Sequence, residues 1–122
     1  MCNMLISIKP EHVENIFNGS KKYEYRKIRC KKDVDKIIIY STYPIMKVVG
    51  EAKVEEILEG SPENIWEETK KYSGIDLKFY QKYFKDRSKA IAYKLTNIKK
   101  YNAPKDLASY GIKKAPQSFI YV

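Results

Sequence analysis

A short amphipathic helix runs into a strand at Gly19-Ser20-Lys21-Lys22-Tyr23-Glu24-Tyr25-Arg26-Lys27, and this junction sets a lysine, a glutamate and an arginine close together. Charges placed in an interior cost several kcal/mol unless they are paired. A mixed-sign cluster entering a sheet is therefore either a solvated edge or the floor of a polar pocket. Charge runs are usually surface, so composition by itself favours the edge. Tyr23 and Tyr25 alternate with Lys22, Glu24 and Arg26, which is strand period. Parity puts Glu24 and Arg26 on one face. Lys21 stands at the start of the strand, and its direction is left open.

The elements around this junction follow from periodicity. Residues 4–8 read as a strand. Pro10 sits where a first helical turn tolerates it, and Val13, Ile16 and Phe17 give the following helix one apolar face. Asn18-Gly19 ends that helix, Gly19 being free to take a left-handed C-cap. Residues 30–35 form a charged turn. The β-branched run Ile37-Ile38-Ile39-Tyr40 is a buried strand, ended by Ser41-Thr42-Tyr43-Pro44. Residues 48–58 read as a long strand with Gly50 as a bulge or bend. Ser61-Pro62-Glu63 starts a helix, with Ser as N-cap, Pro at the first position and an acid in the first turn. Asp76 caps another, in which Leu77, Tyr80 and Phe84 recur at helical spacing and Phe79 and Tyr83 widen the face. Residues 90–101 are the clearest strand, Ile91, Tyr93 and Leu95 alternating with Ala92, Lys94 and Thr96 and expected to point inward. Residues 118–122 close the chain as an edge strand with Phe119 and Tyr121 on one face. Strands at both ends and helices grouped in the middle give an α+β class.

At 122 residues and 43% hydrophobic content the chain is read as one domain, residues 1–122, able to bury a core without disulfide or metal. No apolar run approaches the ~20 residues of a membrane span, and the N-terminus lacks a signal-type apolar stretch. Cys2 and Cys30 are isolated thiols, and a single histidine leaves no zinc spacing to draw; no metal or cofactor is expected, and the setting expected is the cytoplasm. No glycine-rich phosphate loop and no nucleophile elbow occur. His12, on the first helix, is expected to be a solvated surface side chain.

Formal charge is +9, unevenly spread. Residues 89–122 carry Lys89, Lys94, Lys99, Lys100, Lys105, Lys113 and Lys114 against Asp106 alone, whereas residues 51–70 are acidic. A basic face attracts phosphate backbones at long range. Lysine enrichment from an AT-rich genome is the competing explanation. The eleven tyrosines serve either as stacking platforms or, more commonly, as core and rim residues with a wet hydroxyl. Tyr43, beside Ser41 and Thr42 at a strand end, is the one singled out for function, against the simpler reading of a turn.

Gly19, Lys21 and Arg26 fill the motif Gly-x-Lys-x-x-x-x-Arg. With Leu5-Ile6-Ser7-Ile8-Lys9-Pro10 before it, Tyr40-Ser41-Thr42-Tyr43-Pro44 and Val48-Val49-Gly50-Glu51 after it, Ser61-Pro62-Glu63-Asn64-Ile65-Trp66 in the middle and Pro116-Gln117-Ser118-Phe119 at the end, the chain resembles the ASCH domain, a relative of the PUA and EVE domains. The resemblance covers essentially the whole chain. It implies a small PUA-like β-barrel with flanking helices. It also implies RNA binding or capture of a modified base, or, as in small bacterial relatives, hydrolysis of acylated cytidine nucleosides. In those relatives a Lys and a Thr of this segment are catalytic; the Lys matches Lys21, but the Thr position holds Glu24. A carboxylate does not replace a hydroxyl nucleophile, so Glu24 would act instead as a general base on water.

Three readings result. The favoured one is binding of RNA or a nucleotide-like ligand, with Lys21, Glu24 and Arg26 as one wall of a polar pocket, Ser41, Thr42 and Tyr43 as another, and Gln117 and Ser118 at its mouth. Arg supplies a donor fork, Lys a movable charge and Glu an acceptor for base amino groups. The second is a nucleoside amidohydrolase using Lys21 and Glu24. The third is a regulatory adaptor on a protein or a coding RNA. Oligomeric state is open.

Overall fold

Six strands and three α-helices follow one another in the order set by hydrophobic periodicity. In this computed structural model, which describes residues 2–122, they are β1 (Cys2–Ile8), α1 (Pro10–Phe17), β2 (Tyr23–Arg26), β3 (Val34–Ser41), β4 (Lys47–Gly60), α2 (Pro62–Thr69), α3 (Leu77–Tyr83), β5 (Ala90–Lys105) and β6 (Phe119–Tyr121). Ser61 and Asp76 cap α2 and α3 as their residue types require: each side chain accepts a backbone N–H, from Asn64 and Phe79 respectively.

The strands join one sheet in the order β2-β5-β4-β3-β1-β6. β1 and β3 run parallel; the other pairs are antiparallel. β5 extends past the expected end at Tyr101 to Lys105, which pairs with Val48. The ladder between β4 and β5 slips register at three places, and that between β3 and β4 slips at Ile39/Tyr40. Each slip sharpens the local twist, and the sheet curls into a half-barrel with β2 and β6 as its two edges. The α+β, PUA-like architecture is the one observed.

The hollow of the half-barrel is filled from every strand that alternation aimed inward: Met4, Ile6, Ile8, Ile37, Ile39, Ala52, Val54, Ile91, Tyr93 and Leu95, closed by Val13 and Ile16 of α1. A second cluster under α2 and α3 joins Tyr25, Ile65, Tyr80, Phe84, Ala90 and Ala92. A third buries Leu5, Ile38, Tyr40 and Val48 beneath the chain from Tyr101 to Ala115. β1 and β3 are thus covered on both faces, which is why each carries consecutive apolar residues, Met4-Leu5-Ile6 and Ile37-Ile38-Ile39-Tyr40. The stripe assigned to α3 is only partly buried: Tyr80 and Phe84 pack inward, while Leu77 is 45% and Phe79 38% exposed. A two-turn helix resting on the small residues Ala90 and Ala92 has room to bury only one edge of its apolar face.

Phe17 is half-buried and lies across Gly50, where a Cβ would meet Phe17 Cζ at 2.7 Å and the Lys99 carbonyl oxygen at 2.5 Å. Gly50 is therefore needed for close approach of α1 and β5. Gly50→Ala is expected to destabilise by ~1–3 kcal/mol through overpacking. Phe17→Ala should cost less than the ~3–5 kcal/mol of a fully buried phenylalanine. Urea denaturation of the two variants checks both.

Candidate ligand-binding site

Where β2 leaves α1, the charged junction turns inward. Lys21 is 2% and Glu24 6% exposed, so the segment is no solvated edge. Burial of these charges is tolerable because each has a partner. Lys21 Nζ donates to the Ser73 carbonyl at 2.9 Å, stands 3.8 Å from Glu24 Oε1 and lies 4.8 Å from the centre of the Tyr25 ring. Glu24 Oε2 accepts from Arg26 Nε at 3.1 Å and from Arg26 Nη2 at 2.7 Å, two charge-assisted hydrogen bonds converging on one carboxylate oxygen.

Arg26 is more than Glu24's counter-ion. Its Nη2 also donates to the Ser7 carbonyl on β1 at 2.8 Å, and Nη1 donates to Ser118 Oγ at 3.2 Å. The guanidinium thus joins β2 at one edge of the sheet to β1 and the approach to β6 at the other. Ser7 Oγ in turn donates to the Pro116 carbonyl. A side chain, not a backbone ladder, ties the two edges together. Most of the donors of the guanidinium fork are thus engaged within the protein.

Above this floor opens a cavity of about 320 Å³, lined by Ser7, Lys9, His12, Lys21, Glu24, Arg26, Thr42 and Gln117 among polar residues, with Tyr25, Ile75, Phe79 and Tyr83 as apolar walls. Of the expected residues, Lys21, Glu24, Arg26, Thr42 and Gln117 meet there. Ser118 stays outside the lining and reaches the site through Arg26. Ser41 is buried (2% exposed) within β3, beside Ile8 and Lys47, and does not line the cavity. Tyr43 lies beyond the strand end in the turn and is 80% exposed, outside the lining.

His12 departs from expectation in the other direction. It is half-buried on the cavity wall, edge-on to Phe79 with ring centres 5.3 Å apart, and its Nδ1 is buried without a partner. Burial, and then the charge of Lys21, hold its pKa below the ordinary histidine value, so the ring is neutral near pH 7. The spacing of His12 and Asn15 marks a polar stripe on α1, a signal the sequence did contain. Phe79 opposite it arrives from α3, and nothing local announces that contact.

The Lys21 ammonium is pushed below the ordinary lysine pKa first by burial, then by Arg26, while Glu24 opposes the shift. Tyr25 beneath it donates to Thr69 Oγ1, which itself donates to the Ile65 carbonyl; burial raises the phenol to about 12 and keeps it neutral. The floor therefore offers a dehydrated cation beside a carboxylate whose Oε1 is not committed to Arg26, and the wall offers a neutral imidazole. Such a set can donate to and accept from one planar edge, or move a proton. Among the described residues no cluster of metal-ligating side chains occurs.

The ASCH domain family model matches residues 6–104. Over 120 residues the chain is 34% identical to a stretch of the ATP synthase subunit alpha of Ureaplasma parvum serovar 3; this is 98% of the chain but only 15% of that far longer protein. It is 32% identical over 92 residues to an ASCH domain-containing ribonuclease of Zymomonas mobilis, covering 75% of this chain and 62% of that one. The crystal structure of ASCH from Zymomonas mobilis superposes with a TM-score of 0.89 at 26% identity, across 98% of this chain and 87% of that one. The half-barrel, the charged junction at its mouth and a family match running from β1 into β5 lead to one assignment: the chain belongs to the ASCH domain family.

Proposed function

We propose that the cavity binds RNA or a nucleotide-like ligand, with a base seated against the Lys21–Glu24 floor. The observation that carries this reading is the buried Lys21–Glu24–Arg26 chain at the bottom of an open cavity, with Lys21 and the Glu24 oxygen not held by Arg26 among its lining groups. A cavity of about 320 Å³ is within the range of small-ligand sites. Phe79 and Tyr83 supply aromatic surface for a base, and Thr42 and Gln117 supply hydrogen-bonding groups at the wall. The Zymomonas mobilis relative, named a ribonuclease, favours RNA among possible ligands.

A second reading, hydrolysis of an acylated nucleoside, is favoured by one observation: the lowered pKa of Lys21 beside Glu24 suits proton transfer. We read residues 1–122 as a single domain. Among the described residues no helix is long and apolar enough to cross a membrane, and the free thiols Cys2 and Cys30 support a reducing compartment such as the cytoplasm.

Lys99, Lys100, Lys113 and Lys114 are exposed and make no ion pair among the described residues. If they meet the backbone of a bound strand, affinity for a fluorescent single-stranded RNA decamer falls with salt at about −0.7 in log–log slope per phosphate contact. Changing all four to Gln flattens that slope. Fluorescence anisotropy at several salt concentrations measures it. Salt-independent affinity, or no RNA binding at low salt, would move the proposal to a free nucleoside ligand.

A further inference from the structure

Lys21 is held by a turn from the far side of the chain rather than by its own strand. It forms an isolated antiparallel bridge with Ser73, and the next residue, Lys22, donates its N–H to the Tyr72 carbonyl at 2.8 Å. The Ser73 carbonyl receives Lys21 Nζ, and Ser73 Oγ donates to the Ile75 carbonyl at 2.8 Å, closing the turn on itself. Asn15 of α1 latches it from the other side, its Nδ2 donating to the Gly74 carbonyl at 3.1 Å. Gly74 is the point of contact. Its φ of +69° lies in the left-handed region, and a Cβ there would stand 2.4 Å from Lys21 Cβ, 2.7 Å from Cγ and 3.0 Å from Cδ. The collision is with the root of the lysine stem, which cannot swing aside as its tip can. The empty space of a glycine side chain is therefore filled by the lysine.

We propose that the turn 73–75 is a positioning device for the cavity's ammonium, with Gly74 as its positioning residue: the missing side chain admits the Lys21 stem, and the Ser73 carbonyl fixes Nζ at the cavity floor. The turn excludes water from the stem and leaves the face of Nζ toward Glu24 and the cavity as the side open to a ligand. It also carries Ile75 into the cavity wall and leads into α3, which bears Phe79 and Tyr83. One segment thus sets both the charge and the aromatic wall. The inference rests on reading the cavity as a ligand site, but the position of the ammonium can be tested without any ligand.

The experiment follows the Lys21 Cε resonance across pH by NMR in the wild type, Gly74→Ala and Asn15→Ala, and measures binding of the RNA decamer and of cytidine 5′-monophosphate. In the wild type, burial of the stem is expected to make Lys21 titrate below the ordinary lysine value. Gly74→Ala, by forcing the turn off the stem and wetting it, is expected to move that titration upward and to weaken either probe by at least ~10-fold. Asn15→Ala loosens the latch without a collision and should shift Lys21 the same way by less. If Gly74→Ala does not fold, Asn15→Ala decides. A Lys21 titration unmoved in a folded variant overturns the proposal. A titration that moves in a protein whose wild type binds neither probe supports the positioning role while refuting the ligand reading.

Discussion

Arg26→Ala is expected to lower the free energy of unfolding by about 3–5 kcal/mol, the usual cost of removing one partner from a buried ion pair. The surroundings place it in that class. The Arg26 and Glu24 side chains are 13% and 8% exposed, so solvent screens them little. Without the guanidinium, Glu24 Oε2 loses both its donors, the Ser7 carbonyl and Ser118 Oγ lose one each, and the edges of the half-barrel lose the side chain that joins them. Arg26→Lys keeps the charge but not the two converging donors and should fall between. Adding Glu24→Gln to Arg26→Ala removes the carboxylate left without its guanidinium but also the one beside the buried Lys21 ammonium, so it should recover little of the loss. Guanidinium denaturation measures all three. A loss below ~1 kcal/mol for Arg26→Ala would place the pair in the class of solvated surface salt bridges.

Lys21→Met keeps the aliphatic stem and deletes the ammonium. Hydrogen bonds to charged groups contribute about 1.5–3 kcal/mol, so affinity for cytidine 5′-monophosphate and for the RNA decamer should fall roughly 10- to 150-fold. The pH dependence supplies an internal check. Because the Lys21 pKa is depressed, the wild type loses its ammonium, and with it affinity, at a lower pH than an exposed lysine would. Lys21→Met should show no such fall. Stability moves in the opposite sense: the folded state releases this proton before the unfolded state does, so the penalty of burying the ammonium is full below the folded pKa. It is relieved as pH rises toward the unfolded value. Glu24→Gln separates binding from catalysis. If the cavity only binds, affinity should change by about tenfold or less. If it hydrolyses an acylated nucleoside, turnover should fall at least ~100-fold with binding retained.

Much of the fold was legible because its strands obey a period of two. The alternation of Ile91, Tyr93 and Leu95 and the run from Ile37 to Tyr40 announce strands whose inward faces become the core. Caps marked the helix starts at Ser61 and Asp76. At the site, parity alone put Glu24 and Arg26 on one face, and their direct pairing follows. What parity cannot supply is the long-range partner. Ser7 and Ser118 lie 19 and 92 residues from Arg26 in sequence, so its tie between the sheet edges could not be read from the segment itself. The Ser73 carbonyl stands 52 residues from Lys21, so the direction of the lysine stayed open. Ser41 and Tyr43 lie away from the cavity for a local reason: of three consecutive hydroxyl residues at a strand end, one is buried in the sheet and one sits out in the turn. Only Thr42 is left at the cavity. His12 was missed because a helix surface is exposed until another element covers it, and that cover comes from Phe79.

The most direct test is to titrate the isotopically labelled protein with cytidine 5′-monophosphate and with the RNA decamer, and to map the NMR shifts residue by residue. Binding at the proposed floor predicts saturable changes at His12, Lys21, Glu24, Thr42 and Gln117, abolished or strongly weakened in Lys21→Met. The groove of about 510 Å³ between α2 and α3, lined by Trp66, Leu77 and Phe84 among others, is the competing location. Shifts confined to that groove, or to the exposed lysines with the cavity residues unmoved, would contradict a ligand site at Lys21 and Glu24.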